Sequence, residues 1–165
     1  MGTSTIDLPV FYCAGWFRAK RRAIDPWTEE RARKAHDKGE VYTALVGDLS
    51  EPYCFLEVHL ALGYVGVGFL DEGNREYLGR SFALQASGRF FMTEEDFRAF
   101  DGTTDRILKN DSYVYEPSGL ARIRRTNVSE NTLETAEARI DVADFWEDPP
   151  GIGDYHGFAR KDRRA

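Results

Sequence analysis

Residues 63–84 read GYVGVGFLDEGNREYLGRSFAL, with Gly63, Gly66 and Gly68 inside six positions. A loop that cradles phosphate places its glycines between a strand and a helix, so that free backbone N–H groups and the helix dipole converge on the anion. Here the spacing is G-x-x-G-x-G, which is neither the dinucleotide order nor the G-x-x-x-x-G-K-[ST] order. Val65, Val67 and Phe69 alternate with Gly66 and Gly68, and the next residues, DEGN, form a turn rather than a helix. The reading is a strand with one face stripped of side chains, against which another element can approach closely. REYLGRSFAL then returns as the second arm of a hairpin, with Leu78, Phe82 and Leu84 on the face opposite Tyr77 and Gly79. Gly79 beside Gly66 or Gly68 would extend the smooth patch into a shallow groove.

Strand signals surround this hairpin. Residues 5–17, VYTALVG (41–47) and YCFLEVHLAL (53–62) are apolar, β-branched or aromatic runs, the last two separated by the turn composition DLSEP. SYVYEPSGLARIRR is a hairpin turning at Pro117-Ser118-Gly119. Two helices are expected. The longer one starts at Asp25 with Pro26 in its first turn, carries Glu29 and Glu30 near its positive end, and stops at Gly39. The shorter follows a strand at Arg89 to Met92, opens on a capping box of Thr93 and Asp96, and ends at Asp101-Gly102. NTLETAEARIDV fits both periods, since Leu133, Ala136 and Ile140 have helical spacing while Thr135, Glu137 and Arg139 alternate; strand is favoured. Phe145, Trp146, Tyr155 and Phe158, set among prolines and glycines, predict an extended segment pressing its rings on the core. The expectation is a single α+β domain over residues 1–165, mostly antiparallel sheet, with one longer and one short helix.

The 165 residues are 42% hydrophobic and 13% aromatic, enough for one core without staples. Twenty-two Lys and Arg stand against 28 Asp and Glu, and the net charge of −6 disfavours nucleic acid and anionic membrane while suiting a basic partner. RAKRR (18–22), ARIRR (121–125) and ARKDRRA (159–165) are short basic clusters of the kind found on solvated faces. Cys13 and Cys54 are too few for a disulfide framework and lie in no metal-binding spacing. With no signal peptide pattern and no long apolar run, the chain reads as cytoplasmic; MGTSTI matches a loose myristoylation pattern and nothing more.

The residues offer little catalytic equipment. Glu57 and His59 share one face of a strand, where a carboxylate beside an imidazole could tune a base or simply form a polar pair. Cys54 and His59 fall on opposite faces, and no serine sits in G-x-S-x-G. No catalytic set, metal or cofactor is assigned. Two surfaces are candidates for binding. The segment DFWEDPP alternates acids and rings, so Asp144, Trp146, Glu147 and Asp148, with Glu94 and Glu95 second, could meet a basic protein; Trp146 could equally anchor the core. The alternative is a ligand groove over Gly66 and Gly68 with Glu57, His59 and Tyr64 near its mouth.

The series YVGVGFLDEGNREYLGRSF, GRFFMTEEDFRAFDG, YVYEPSGLARIRR and DYHGFARKD, spread over residues 41 to 165, resembles a loosely defined group of small bacterial proteins with no assigned activity. In size, acidity and equipment such proteins look like cytoplasmic immunity proteins paired with secreted toxins. That resemblance implies a non-enzymatic binding protein that covers a toxin through an acidic, aromatic surface. A small-molecule-binding domain or enzyme using the glycine groove is the alternative, and self-association through the smooth strand face is a third reading.

Overall fold

The computed structural model describes residues 8–163; the MGTSTI pattern and the start of the first expected strand lie outside the described residues. Eleven antiparallel strands form one sheet: β1 (Val10–Phe17), β2 (Arg22–Trp27), β3 (Tyr42–Val46), β4 (Cys54–His59), β5 (Tyr64–Leu70), β6 (Glu76–Leu84), β7 (Phe90–Phe100), β8 (Ile107–Tyr115), β9 (Leu120–Asn127), β10 (Thr132–Arg139) and β11 (Trp146–Glu147). Helix α1 spans Glu29–Lys38 and α2 spans His156–Ala159. The strand order is β10-β9-β8-β7-β6-β5-β4-β3-β1-β2, with β11 added beside β7. The chain is thus an α+β domain dominated by sheet.

The hairpin of residues 63–84 forms as its alternation requires. Val65, Val67 and Phe69 are buried on one face with Leu56, Val58, Leu78 and Phe82. That face is roofed by Ala32 and Ala35 of α1 and by the C-terminal segment, whose Phe145, Tyr155 and Phe158 are each no more than 2% exposed. The rings do press on the core, and β10 confirms strand over Thr132–Arg139.

Two helix boundaries differ from expectation. Asp25 and Pro26 belong to β2, where Pro26 pairs with Cys13. The strand is at the sheet edge, so the missing N–H of proline costs no ladder bond. The helix begins one turn later, with the Thr28 hydroxyl accepting from the Arg31 amide at 3.2 Å and Gly39 closing it at φ 72°. The second correction is larger. The segment from Thr93 to Asp101 does not form a helix; residues 93–100 continue β7, paired with β6 on one side and β8 on the other. Thr93, a helix cap in the sequence reading, is the extra residue of a β-bulge: Ser81 faces Glu94 and Phe82 faces Met92, while the Thr93 hydroxyl donates to the Ser81 carbonyl. Pairing on both sides outweighs a local cap signal. The short helix is α2 instead.

The roof is fastened by buried polar groups. Arg80, 5% exposed, pairs with Glu95 at 2.7 Å and donates to the carbonyls of Arg160 (2.7 Å) and Lys161 (2.5 Å). Tyr115 donates its hydroxyl to Glu95. At the other end of the roof, His36 Nδ1, the Tyr42 hydroxyl and the Tyr155 hydroxyl form a chain with both links at 2.9 Å. Burial is the main cause that pushes the Tyr42 phenol up to about 12. An unfolded tyrosine ionises near pH 10. Between these values the unfolded chain loses a proton that the folded one keeps, so stability falls as pH rises, by about 2–3 kcal/mol in total for Tyr42. Below pH 10 this group contributes no slope. Thermal melts from pH 9 to pH 12 are expected to show this fall, shallower in Tyr42→Phe; equal slopes would refute the assignment.

Candidate functional site

The opposite face of the sheet carries the glycines. Cross-strand rows run Glu57–Gly66–Ser81–Glu94 and Phe55–Gly68–Gly79–Asp96. Gly79 therefore stands beside Gly68. None of Gly66, Gly68 and Gly79 has a positive φ, so space rather than conformation demands glycine here. A Cβ on Gly68 would enter the Phe55 ring, one on Gly66 would meet the Tyr64 hydroxyl, and one on Gly79 would lie 2.8 Å from Glu76 Oε1. Side chains lie flat across bare backbone, and the amides belong to the sheet ladder. The glycines are a floor, not an anion cradle.

The ribbon of β1 and β2 curls over part of this floor. Cys13, Trp16, Leu45, Phe55 and Leu70 form a second, smaller core, with Trp16 stacked on Phe55 at 6.0 Å. The ribbon's tip is tied down by Arg21, whose side chain donates to the Gly73 carbonyl and pairs with Asp105 and whose carbonyl accepts from the Asn74 side chain. That anchorage suspends Arg18 over the sheet. Its guanidinium bonds Glu57 at 3.0 Å and Glu76 at 2.9 Å and lies 5.0 Å over the Phe55 ring. Burial opposes the charge of Arg18, but Glu76 and then Glu57 outweigh it and hold the group above the ordinary arginine value.

Under Arg18 lies a polar cavity of about 170 Å³, walled by Glu57, Tyr64, Glu76, Ser81, Asp96 and Arg98. The Glu76 side chain is only 13% exposed and also faces Arg98 at 3.6 Å. Asp96 accepts from the Ser112 hydroxyl. Past Ser112 the same face opens into a wide trough of about 640 Å³ over β8, β9 and β10, bordered by Val114, Arg122, Arg124, Thr135 and Glu137. The cavity thus offers two guanidinium groups and three carboxylates at close quarters, suited to a ligand bearing both charges.

Of the expected groove residues, Glu57, Tyr64 and Gly66 line this cavity; Gly68 is covered by Phe55, and His59 shares the face without lining it. The acidic set is dispersed. Asp144 bonds Arg160 at 2.7 Å, and Glu147 bonds Arg160 at 3.1 Å and Arg163 at 2.8 Å. These two acids clamp the C-terminal segment together. Trp146 is half-buried against Phe91, with ring centroids 4.9 Å apart, and so acts as the core anchor rather than an exposed ring. Glu94 and Glu95 point to opposite faces of β7: Glu95 is buried with Arg80, whereas Glu94 is exposed. Asp148 is 85% exposed beside Arg89. Cys13 and Cys54 are both free and buried, and burial pushes the Cys13 thiol up to about 11.

Arg18, Glu76, Asp96 and Arg98 were not among the sequence candidates. The i, i+2 spacing of Glu94, Asp96 and Arg98 marks one strand face, but the helix reading of that segment hides it. Arg18 sits in a basic cluster whose carboxylate partners are distant in sequence.

No family model matches the chain, and neither the curated proteins nor the solved structures contain a match. Among the described residues no helix is long and apolar enough to cross a membrane, and no group of three or more His, Cys, Asp or Glu side chains is arranged to hold a metal ion.

Proposed function

We propose that this protein is a binding protein that takes a small zwitterionic ligand, of the size and charge pattern of a free amino acid, in the cavity beneath Arg18. One observation carries the reading: Arg18, Glu57, Glu76, Asp96 and Arg98 surround a concave space floored by side-chain-free backbone. A ligand ammonium competes with Arg18 for Glu57, and a ligand carboxylate competes with the carboxylates for Arg18 or Arg98. Exchange of one ion pair for two keeps every charge answered, including that of Glu76, whose side chain is only 13% exposed.

Calorimetric titration and thermal shift with a panel of free amino acids and betaines test this. At least one compound is expected to stabilise the protein, by about 2.7 kcal/mol at a hundredfold excess over Kd, and Arg18→Ala and Glu57→Gln are each expected to abolish the shift. A panel without a reproducible shift would refute the proposal.

Capture of a basic protein, the immunity-type reading with its cytoplasmic location, is supported by the net charge of −6 and by the exposed carboxylates of Asp148 and Glu94. Co-expression with the product of the neighbouring gene, scored for protection from its toxicity, tests it. Protection that is lost on charge reversal at Asp148 and Glu94 would support that reading; absence of protection would remove it.

A further inference from the structure

The two edges of the sheet are built differently. β2 carries Pro26 and a kink at Asp25, whose φ is 51°, and both features blunt an edge against further pairing. β10 has neither. It pairs with β9 through eight consecutive residues, Thr132 opposite Asn127 through Arg139 opposite Leu120, without a register shift. Just beyond, the Ile140 amide donates to the Gly119 carbonyl at 2.9 Å. This fixes the phase of the ladder: Glu134, Ala136 and Ala138 turn their backbone groups toward β9, while Leu133, Thr135, Glu137 and Arg139 turn theirs outward. β10 ends the sheet order, and no described strand takes these groups.

Charge does not defend this edge. Glu137 is answered by Arg122 at 3.4 Å, and Glu134 stands opposite Arg125 in the ladder. Leu133 is 55% exposed.

We propose that β10 pairs antiparallel with β10 of a second copy of this chain, about a two-fold axis at Ala136, continuing the sheet across both molecules. The sequence TLETAEAR is self-complementary in that register. Leu133 faces Arg139 of the second copy, whose aliphatic stem covers it. Thr135 faces Glu137 of the second copy, and Glu134 faces Ala138 of the second copy. All four outward residues then form hydrogen-bonded pairs, and no like charges stand directly opposite. Centring the pairing on Glu134 or Glu137 would place that glutamate against its own copy, and centring it on Thr135 would leave Arg139 without a partner. The observations therefore select both the occupant and the register.

Sedimentation velocity from low micromolar to submillimolar protein tests this, on the wild type and on Thr135→Pro. Proline at 135 removes an outward amide that β9 does not use, so the fold and melting temperature are expected to stay unchanged. The wild type is expected to shift from monomer to dimer, and Thr135→Pro to stay monomeric. A wild type that is monomeric throughout, a dimer that survives Thr135→Pro, or pairing only with an extended segment of another polypeptide would overturn the proposal. Amide hydrogen exchange on the wild type gives the same answer without a variant. Protection at Leu133, Thr135, Glu137 and Arg139 is expected to rise with concentration, and concentration-independent exchange there would count against the pairing.

Discussion

Glu95→Ala is expected to lower the free energy of unfolding by about 3–5 kcal/mol, the cost typical of removing one partner of a buried ion pair. Glu95 is 8% exposed and binds Arg80 at 2.7 Å and the Tyr115 hydroxyl at 2.9 Å. Without it, the guanidinium of Arg80 stays among Phe69, Tyr115 and the roof with only the carbonyls of Arg160 and Lys161 for company. Carbonyl dipoles do not neutralise a charge, so the penalty falls on Arg80. Glu94→Ala, one residue away on the exposed face, is expected to change stability by less than about 0.5 kcal/mol. Urea denaturation of the two variants measures the contrast. Equal effects would mean that Glu95 is not the counter-ion of a buried arginine. An Arg80→Met, Glu95→Leu double variant is expected to recover most of the loss, because a well-packed apolar pair carries no desolvation cost.

Phe158→Ala is the second large effect, expected at about 3–5 kcal/mol. Phe158 is 2% exposed and meets Phe82 edge-on at 4.9 Å and Phe90 at 5.9 Å. Its ring is the main apolar plug that α2 sets into the sheet, and α2 is too short to hold itself in place. Removing the ring leaves a cavity against Phe82 and loosens the segment that carries Arg160 and Arg163. Limited proteolysis is therefore expected to cut near residues 150–163 sooner than in the wild type, alongside the fall in denaturant midpoint. Unchanged cleavage with full loss of stability would show that the roof and the sheet unfold together.

What the sequence makes legible follows from how local the signals are. The alternation of Val65, Val67 and Phe69 with Gly66 and Gly68 is a property of one strand, and it specifies both the strand and its two faces. The β8–β9 hairpin and the rings of the C-terminal segment are readable for the same reason. The strand over residues 93–100 is not, because Thr93, Glu94, Glu95 and Asp96 carry the composition of a helix start while the forces that extend them come from β6 and β8. The bulge at Thr93 also reverses the parity of β7: Met92 faces the roof before it and Glu95 after it. An alternation that changes phase mid-strand looks aperiodic. The cavity shows the same limit. Glu57, Tyr64 and Gly66 come from adjacent strands and are found together, whereas Arg18 arrives on a ribbon folded back from the other end of the sheet.

Along the sheet, every neighbouring pair except β1–β3 and β7–β11 is also consecutive in the chain. Assembly of the sheet can therefore proceed hairpin by hairpin, each closing a short loop at small entropic cost. Capping is a separate event, since Arg80 must find carbonyls about eighty residues further along. Until that closure Arg80 and Glu95 keep their hydration shells, so the docking of the C-terminal segment and the drying of the molecule's central ion pair are a single event.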